Sequence, residues 1–431
     1  MKSTFSFMTG NVLVLVVCRV ILQMSQSLAN PYFSLYILAL GGSVEQIGLI
    51  TAIGGLAGLI LYPLGGYVAD MKGRVKLVGF STFAWAASFI FFATAINWQM
   101  VAVGQFVQHL VLFYQPAMNA IMADSIPRGQ RGVGYATSIA VPNAVGTVVP
   151  YLGGFLIDRV FGGDIVPALH ISYAISGILA FAVALIRLKW LKETMVTGDD
   201  EGVRLKDIPS LLKKSYLNVA ETIRWLSDTL RTVATIQMIT VFFVGIAGPY
   251  WVVRAKTVVG LSAYDWGLIL LVAGAFNIAM VIPMGYLIDR FGPRRMILST
   301  ALIPPTACIL FPFCTSFPQI LAVILFLTVY NCVSGPAYST LLVGHIPSNR
   351  RGRVFSLMGQ GAAVTYGGVN MGAVLLFIPG TIGAAIGGFI YEMNNMLPWF
   401  ILSVALIGCF IFAFRFIKDP EKAETSILNK P

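Results

Sequence analysis

The chain has 431 residues, 57% of them hydrophobic and only 11% charged, with a formal net charge of +11. Soluble proteins carry roughly a quarter charged residues; together with a mean hydropathy of +0.81, this excludes a water-soluble enzyme or binding module. The basic excess is not a nucleic-acid footprint, because it is parcelled into alternate loops between apolar runs.

Apolar stretches of about 18 residues or more are candidate membrane helices. Twelve are expected, near residues 11–39, 46–68, 77–96, 99–123, 133–157, 169–190, 232–254, 264–288, 296–315, 318–343, 354–378 and 397–417. The first runs from Asn11 past Asn30-Pro31 to Leu40. That is too long for a secretory signal core, and no small-residue cleavage site follows. The eleventh is irregular: apolar sequence continues from Val354 to Tyr391 with a break at Pro379-Gly380, so a re-entrant piece or an extra short helix is expected after it.

Polar residues inside these runs fall on narrow faces. In the first helix Arg19, Gln23, Gln26 and Asn30 recur at helical spacing. In the fourth, Gln105, Gln108, His109, Gln115 and Asn119 share a broader face. Polar groups in hydrocarbon are costly unless they face protein or water, so both stripes are expected to face an interior cavity. With ~1.5 Å rise per residue, antiparallel first and fourth helices bring Arg19 level with Gln115 and Gln26 level with His109. Plainer readings stand beside this one. Arg19 lies about two turns inside and has the length to snorkel to the surface, His109 is equally suited to neutral packing, and the amides to joining two helices.

Between the sixth and seventh runs, residues 191–231 form the one long hydrophilic stretch. "TGDDEG" reads as a flexible turn, and Asp207 and Pro209 suit a helix start. Leu212, Tyr216, Val219, Ile223, Leu226 and Leu230 then recur at helical spacing, an amphipathic basic helix suited to the inner membrane surface. The seventh helix offers Gln237 and Thr240, and the tenth Thr328, Asn331 and Tyr338. The rest of that half is apolar and aromatic, including Phe242, Phe243, Tyr250 and Trp251, so the cavity is expected to be polar on one side and greasy on the other.

Basic residues gather at Lys72, Arg74 and Lys76; at Arg128 and Arg131; from Arg187 to Arg231; at Arg290, Arg294 and Arg295; at Arg350, Arg351 and Arg353; and in the tail from Arg415. The opposite loops hold little beyond Arg159, Arg254 and Lys256. This positive-inside bias puts both termini in the cytoplasm. No Asp or Glu lies in the middle of a span, so a carboxylate proton relay is not expected, and His109 is the sole mid-span candidate for one. The five cysteines fall within spans without C-x-x-C spacing, so buried thiols and no metal or disulfide are expected.

The two halves repeat. "NPYFSLYILALGGSVEQIGLI" parallels "GPYWVVRAKTVVGLSAYDWGLIL", and "QPAMNAIMADSIPRGQRG" parallels "GPAYSTLLVGHIPSNRRG". "GGYVADMKGRVK" at 65–76 returns as "MGYLIDRFGPRR" at 284–295, about half the chain later. Parallel six-helix repeats are a transporter architecture. The last pair resembles the signature of the major facilitator superfamily, G-x-x-x-D-R-x-G-R-R, through Gly66, Asp70, Gly73 and Arg74 and again through Gly285, Asp289, Arg290, Gly292, Arg294 and Arg295. The resemblance covers the whole chain: helix number, orientation, central loop and both signature loops.

That resemblance implies an all-α membrane protein of twelve transmembrane helices in two pseudo-symmetric six-helix bundles around a central cavity. The bundles are expected at 1–190 and at 232–431, the latter with a short cytoplasmic tail, joined by a cytoplasmic linker at 191–231. It also implies a cytoplasmic gate. Glycines at 65 and 66 let the second helix approach a neighbour. Asp70 accepts from a helix end across the halves, and Arg74 pairs with Asp124 at the end of the fourth helix. A mere inside-positive topology signal is the alternative. In the second copy Gly344 stands where Asp124 would recur, so an equal latch is not expected there. Two further family patterns are incomplete. Gln105 and His109 replace the Arg and Gly of R-x-x-Q-G in the fourth helix, and Val149 replaces the Gly of the exporter phrase G-P-x-x-G-G, which keeps Pro150, Gly153 and Gly154.

The function expected is secondary active transport of a small organic molecule by alternating access in the cell membrane, with export of amphipathic compounds first. Uptake or exchange of a small organic anion or sugar-like solute follows, with Arg19 as charge partner; a transporter-fold receptor or scaffold is the reading from another class. The cavity residues expected are Arg19, Gln23, Gln26, Asn30, Gln105, His109, Gln115, Gln237 and Asn331. The partners expected are the substrate, the lipid bilayer, and a coupling proton or counter-ion. A monomer with no cofactor, no nucleic acid and no catalytic cluster completes the expectation.

Overall fold

A computed structural model describes residues 7–69, 73–127, 130–194, 208–346, 354, 357–358 and 373–417. Among the described residues every regular element is helical, and eleven helices are long and apolar enough to cross a membrane. The chain divides into two compact units, Met1–Gly42 with Leu56–Asn218, and Ser43–Gly55 with Val219–Pro431.

The first unit holds α1 (Gly10–Ala29) and α2 (Phe33–Ala39), most of α3 (Val44–Ala69), then α4 (Arg74–Ala93), α5 (Trp98–Leu110), α6 (Gln115–Ser125), α7 (Arg131–Gly146), α8 (Val149–Phe155), α9 (Ile165–Trp190) and the start of α10 (Ile208–Trp225). Pro31 opens the 3-10 turn between α1 and α2, where its missing N–H leaves no helical bond unmade. Val12, Leu15 and Val16 of α1 pack with Val75 and Val78 of α4 and with Ala117 and Ile121 of α6 to form one core cluster. α9 lies along α4 and α1. There Phe92 stacks on Tyr173 with ring centroids 5.0 Å apart, and the Tyr36 hydroxyl donates to the Phe92 carbonyl at 2.6 Å.

Glycines set the closest crossings. A Cβ on Gly153 of α8 would stand 2.3 Å from the Leu28 carbonyl oxygen of α1, and one on Gly65 of α3 would stand 1.8 Å from the carbonyl oxygen of Phe113. Only glycine permits such backbone-to-backbone approach. The amphipathic linker helix α10 is attached by Tyr216, whose hydroxyl donates to the Leu59 carbonyl of α3 at 2.6 Å. Four residues beyond Leu59 is Pro63, which has no N–H to offer that carbonyl. The tyrosine replaces the missing helical donor, and its burial pushes the phenol pKa up.

The second unit holds α11 (Asp228–Ala247), α12 (Trp251–Thr257), α13 (Ala263–Phe291), α14 (Pro293–Thr300), α15 (Ile303–Leu310), α16 (Phe317–His345), α17 (Val374–Met393) and α18 (Leu397–Phe416), with the first turns of α3. Pro249 opens a 3-10 turn between α11 and α12, repeating the break at Pro31. α17 crosses α11 through its glycines: a Cβ on Gly383 would stand 1.9 Å from the Phe242 carbonyl oxygen, and one on Gly387 2.7 Å from that of Ile246. Its other face takes the start of α3, where Gly388 meets the backbone of Val44 and Glu45. Trp251, Phe311 and Trp399 close an aromatic cluster, with Trp251 and Phe311 centroids 4.2 Å apart.

Two expected spans take a different form. The fourth is not one helix: α5 and α6 are separated by a 3-10 turn at Val111–Tyr114. The expected break at Pro379-Gly380 is absent, because α17 runs straight through Pro379. Residues 359–372 lie outside the described residues. Glycine-rich packing on α11 holds α17 helical across a proline that sequence alone reads as a stop.

These contacts sort the glycines. Gly383→Ala is expected to destabilise the protein by about 1–3 kcal/mol, because the new methyl meets backbone. A Cβ on Gly285 would have nothing within 4 Å of it, so Ala is expected there with a stability change of no more than about +1 kcal/mol. Thermal unfolding of both purified variants checks this; equal losses would show that the α11–α17 crossing is looser than described.

Candidate functional site

The polar stripe of α1 is held by α7. Arg19 is half-buried, and its Nη1 donates to the Ser138 carbonyl of α7 at 3.3 Å. Pro142 lies four residues beyond Ser138, so this carbonyl also lacks its helical donor. Gln23 is half-buried, donates to Ser27 Oγ at 3.2 Å, and lies against Gly146 of α7. Gln26 is half-buried, and its carbonyl accepts from the Asn30 N–H; Asn30 itself is exposed in the 3-10 turn. α1 packs on α6, α7, α8 and α9, whereas α5 packs on α4 and α2. The expected first-with-fourth-helix neighbourhood therefore runs through α6, where Ala117 and Ile121 pack on α1 and which Gln115 opens. Gln105 and His109 lie on α5, both half-buried, with His109 Nδ1 3.0 Å from the Gln105 carbonyl oxygen.

In the second unit Gln237 of α11 is wholly buried, and neither end of its amide has a hydrogen-bond partner among the described residues. Asn331 of α16 is half-buried. Asn277 of α13 donates to Cys332 Sγ at 3.2 Å. All five cysteines are buried thiols, and among the described residues no cluster has the makings of a metal site.

The signature phrase builds a charged joint at the start of α4. Gly73 caps the helix with φ +81°, a conformation that L side chains rarely adopt. Arg74 then turns inward, 8% exposed, and its Nη1 donates to Asp124 Oδ2 at 2.7 Å and to Thr194 Oγ1 at 3.3 Å. Glu193 Oε2 accepts the Val75 N–H at 3.1 Å, a carboxylate at the positive end of α4. Gly66 lies within α3, and Asp70 lies outside the described residues. In the second copy Gly292 repeats the positive-φ turn at +86°. Asp289 and Arg290 are exposed, Arg290 over the Phe291 ring, while Arg294 donates to the Phe414 carbonyl of α18 at 3.3 Å. Pro293 stands where the first copy has Arg74 and Gly344 where it has Asp124, so the ion pair does not recur and the next residue, Arg294, turns to α18 instead.

Charge patterning misplaces two arginines. Arg187 is not a loop residue: it lies inside α9, 1% exposed. Its Nη1 donates to Thr82 Oγ1 at 2.7 Å, and its Cζ lies 5.5 Å from the Tyr114 ring centroid. The signal is present in the sequence, since Ala180, Val183, Ala184 and Arg187 share one buried face at helical spacing. Arg254 is likewise no loop charge. It is 2% exposed and donates to Asn395 Oδ1 at 2.7 Å and to the Pro312 carbonyl, tying two loops to α12.

The sequence profile of the Major Facilitator Superfamily matches residues 15–369. The chain belongs to the Major Facilitator Superfamily. It is 26% identical over 394 residues to the multidrug resistance protein MdtG of Escherichia coli O17:K52:H18 (strain UMN026 / ExPEC), covering 86% of this chain and 90% of that protein. It is also 26% identical to MdtG of Dickeya zeae (strain Ech586), over 77% of this chain and 78% of that one. Among solved structures the fold is shared with the D-xylose-proton symporter, at a TM-score of 0.69, 13% identity, and 95% and 98% coverage of the two chains. It is shared too with the human organic anion transporter MFSD10, at a TM-score of 0.63, 16% identity, and 93% and 98% coverage. This superfamily chain is a multi-pass membrane protein and a secondary transporter.

The Arg74 joint carries a stability ordering. Asp124 is 47% exposed, so Asp124→Asn is expected to cost no more than about 1 kcal/mol. Arg74→Met should cost more, because it also removes the bond to Thr194. Unfolding midpoints in detergent read the order, and a larger loss for Asp124→Asn would contradict the geometry.

Proposed function

We propose that the protein exports small amphipathic organic molecules by alternating access. The observation that carries this reading is the similarity to a protein named for multidrug resistance, which extends over 86% of this chain and 90% of that protein. The polar stripe of α1 and the partly exposed Phe242 and Phe243 of α11 suit a cargo with one polar and one greasy end, whereas Tyr250 and Trp251 are wholly buried in packing. The moving parts are the six-helix halves at 1–190 and 232–431, joined by 191–231, with both termini in the cytoplasm as the basic loops favour. The unit is a monomer driven by a proton or counter-ion. Cells producing the protein are expected to accumulate less Nile red, a neutral lipophilic dye, and everted membrane vesicles to take it up when energised. Unchanged accumulation across a panel of neutral, anionic and cationic lipophilic dyes would contradict export.

The gate belongs to the same reading. Asp70, with Gly66, Gly73, Arg74 and Asp124, holds the cytoplasmic side shut, and Asp289, Arg290 and Arg294 form a weaker counterpart without a carboxylate partner from α16. Asp70→Asn keeps the shape and removes the charge that favours a helix N-terminus and an arginine. It is expected to lower the population of the inside-closed state without unfolding the chain. Spin-label distances between the cytoplasmic ends of the two halves measure that population, and wild-type distances in the variant would leave Asp70 as a topology signal only.

A further inference from the structure

Arg19 and Arg187 stand at nearly the same level of the first unit, and neither meets a carboxylate among the described residues. α9 runs antiparallel to α1, with the Lys192 N–H on Asn11 Oδ1 and the Ser176 hydroxyl on the Ser25 carbonyl, which sets Arg187 level with Leu15, about one helical turn from Arg19; Arg187 lies over the Tyr114 ring. Arg187 sits one turn from the C-terminal end of α9, near enough to extend toward that end. Its side chain instead points back along the helix, to Thr82 and to Met118 Sδ at 3.3 Å. Its Nε is buried without a hydrogen-bond partner among the described residues. Helix-end carbonyls of α9 compensate part of this charge, but they lie behind the guanidinium rather than before it.

Arg19 completes the picture. Its position is fixed by the Ser138 carbonyl that Pro142 leaves open. One guanidinium arm is engaged there; the other donors make no bond to any described residue. The group is half-buried on the same face of α1 as Gln23 and Gln26. An arginine with donors to spare, backed by a second buried cation and no acid among the described residues, is an incomplete ion pair whose missing half is negative.

We propose that Arg19 and Arg187 form a seat for an organic anion, such as a carboxylate on an apolar body. Arg19 makes the contact through its unused donors. Arg187 is a positioning residue that acts through the field it adds. This deepens the export reading and rests on it only in taking the polar face of α1 as the face that meets cargo.

The test is equilibrium binding to the purified full-length protein, with 1-naphthoate and its neutral isostere 1-naphthamide as probes. Wild type is expected to bind naphthoate at least about tenfold more tightly than naphthamide, the scale of a charge-assisted hydrogen bond. Arg19→Gln is expected to abolish that preference. Arg187→Gln is expected to reduce it by about threefold or more while leaving naphthamide unchanged, and Arg187→Lys to restore most of it. Equal affinities for the two probes in wild type, or parallel losses of both in Arg187→Gln, would overturn the proposal and leave Arg187 as packing. If Arg187→Gln fails to fold, the wild-type ratio and the Arg19→Gln ratio decide. Nile red export unaffected by Arg19→Gln, with no naphthoate preference in wild type, would remove the anion seat and leave the exporter standing.

Discussion

The constraint that organises the first unit is the carbonyl without a donor. In hydrocarbon a backbone oxygen cannot turn to water, so each proline inside a spanning helix leaves an open acceptor at the residue four before it. Pro142 opens the Ser138 carbonyl and Arg19 answers it; Pro63 opens that of Leu59 and Tyr216 answers it. Each answer comes from a different helix, so a local defect becomes a tie: α1 to α7 in one case, α10 to α3 in the other. The ties place polar side chains where apolar packing would not. Arg19 is held inside the bundle by a backbone oxygen, and the linker helix is fixed to α3 by a hydroxyl.

Close glycine crossings do the complementary work. Gly153 on the Leu28 carbonyl and Gly387 on the Ile246 carbonyl are equivalent events in the two units, and both occur just before the 3-10 break set by Pro31 or Pro249. The halves have therefore kept their steric joints. They have not kept their charges. Gly73 and Gly292 share a positive φ, yet the next residue is Arg74, which finds Asp124, in one copy and Pro293 in the other, where Arg294 finds the Phe414 carbonyl. Sterics fix how helices cross and tolerate little change. An ion pair half open to water contributes modestly to stability, so its loss from one half leaves the fold intact.

Much of this is legible from hydropathy, because apolar length reports directly on spanning. The Major Facilitator Superfamily likeness is legible from two loops whose glycines and arginines have strict geometric duties. What hydropathy misses has physical causes. A proline reads as a stop in a window of sequence, but α17 passes through Pro379 because Gly383 and Gly387 bring it onto α11. The fourth span looks continuous because the 3-10 turn at Val111–Tyr114 is as apolar as the helices beside it. Arg187 and Arg254 read as loop residues because charge patterning counts residues near helix ends and does not say which way a side chain points. Gln237 is expected from sequence to line a cavity; its complete burial is set by its neighbours in space, which sequence spacing alone does not resolve.

The arginines can be ranked by what surrounds them, and the ranking separates structure from function. Arg254 has carbonyl and amide oxygens at both ends of its fork and lies over the Trp399 ring, so its charge is spread over dipoles and its role is to hold loops. Arg74 has a carboxylate. Arg187 has a hydroxyl, a thioether and an aromatic face, which are neutral groups that solvate a cation without balancing it. Arg19 has one carbonyl. A charge taken from water is tolerated in proportion to the opposite charge and hydrogen bonds it recovers. By that measure Arg74 is complete within the protein, while Arg254 is held by several neutral oxygens with its Nε buried and without a partner among the described residues. Arg187 and Arg19 recover least, and the antiparallel register of α1 and α9 sets them at nearly the same level of the bundle.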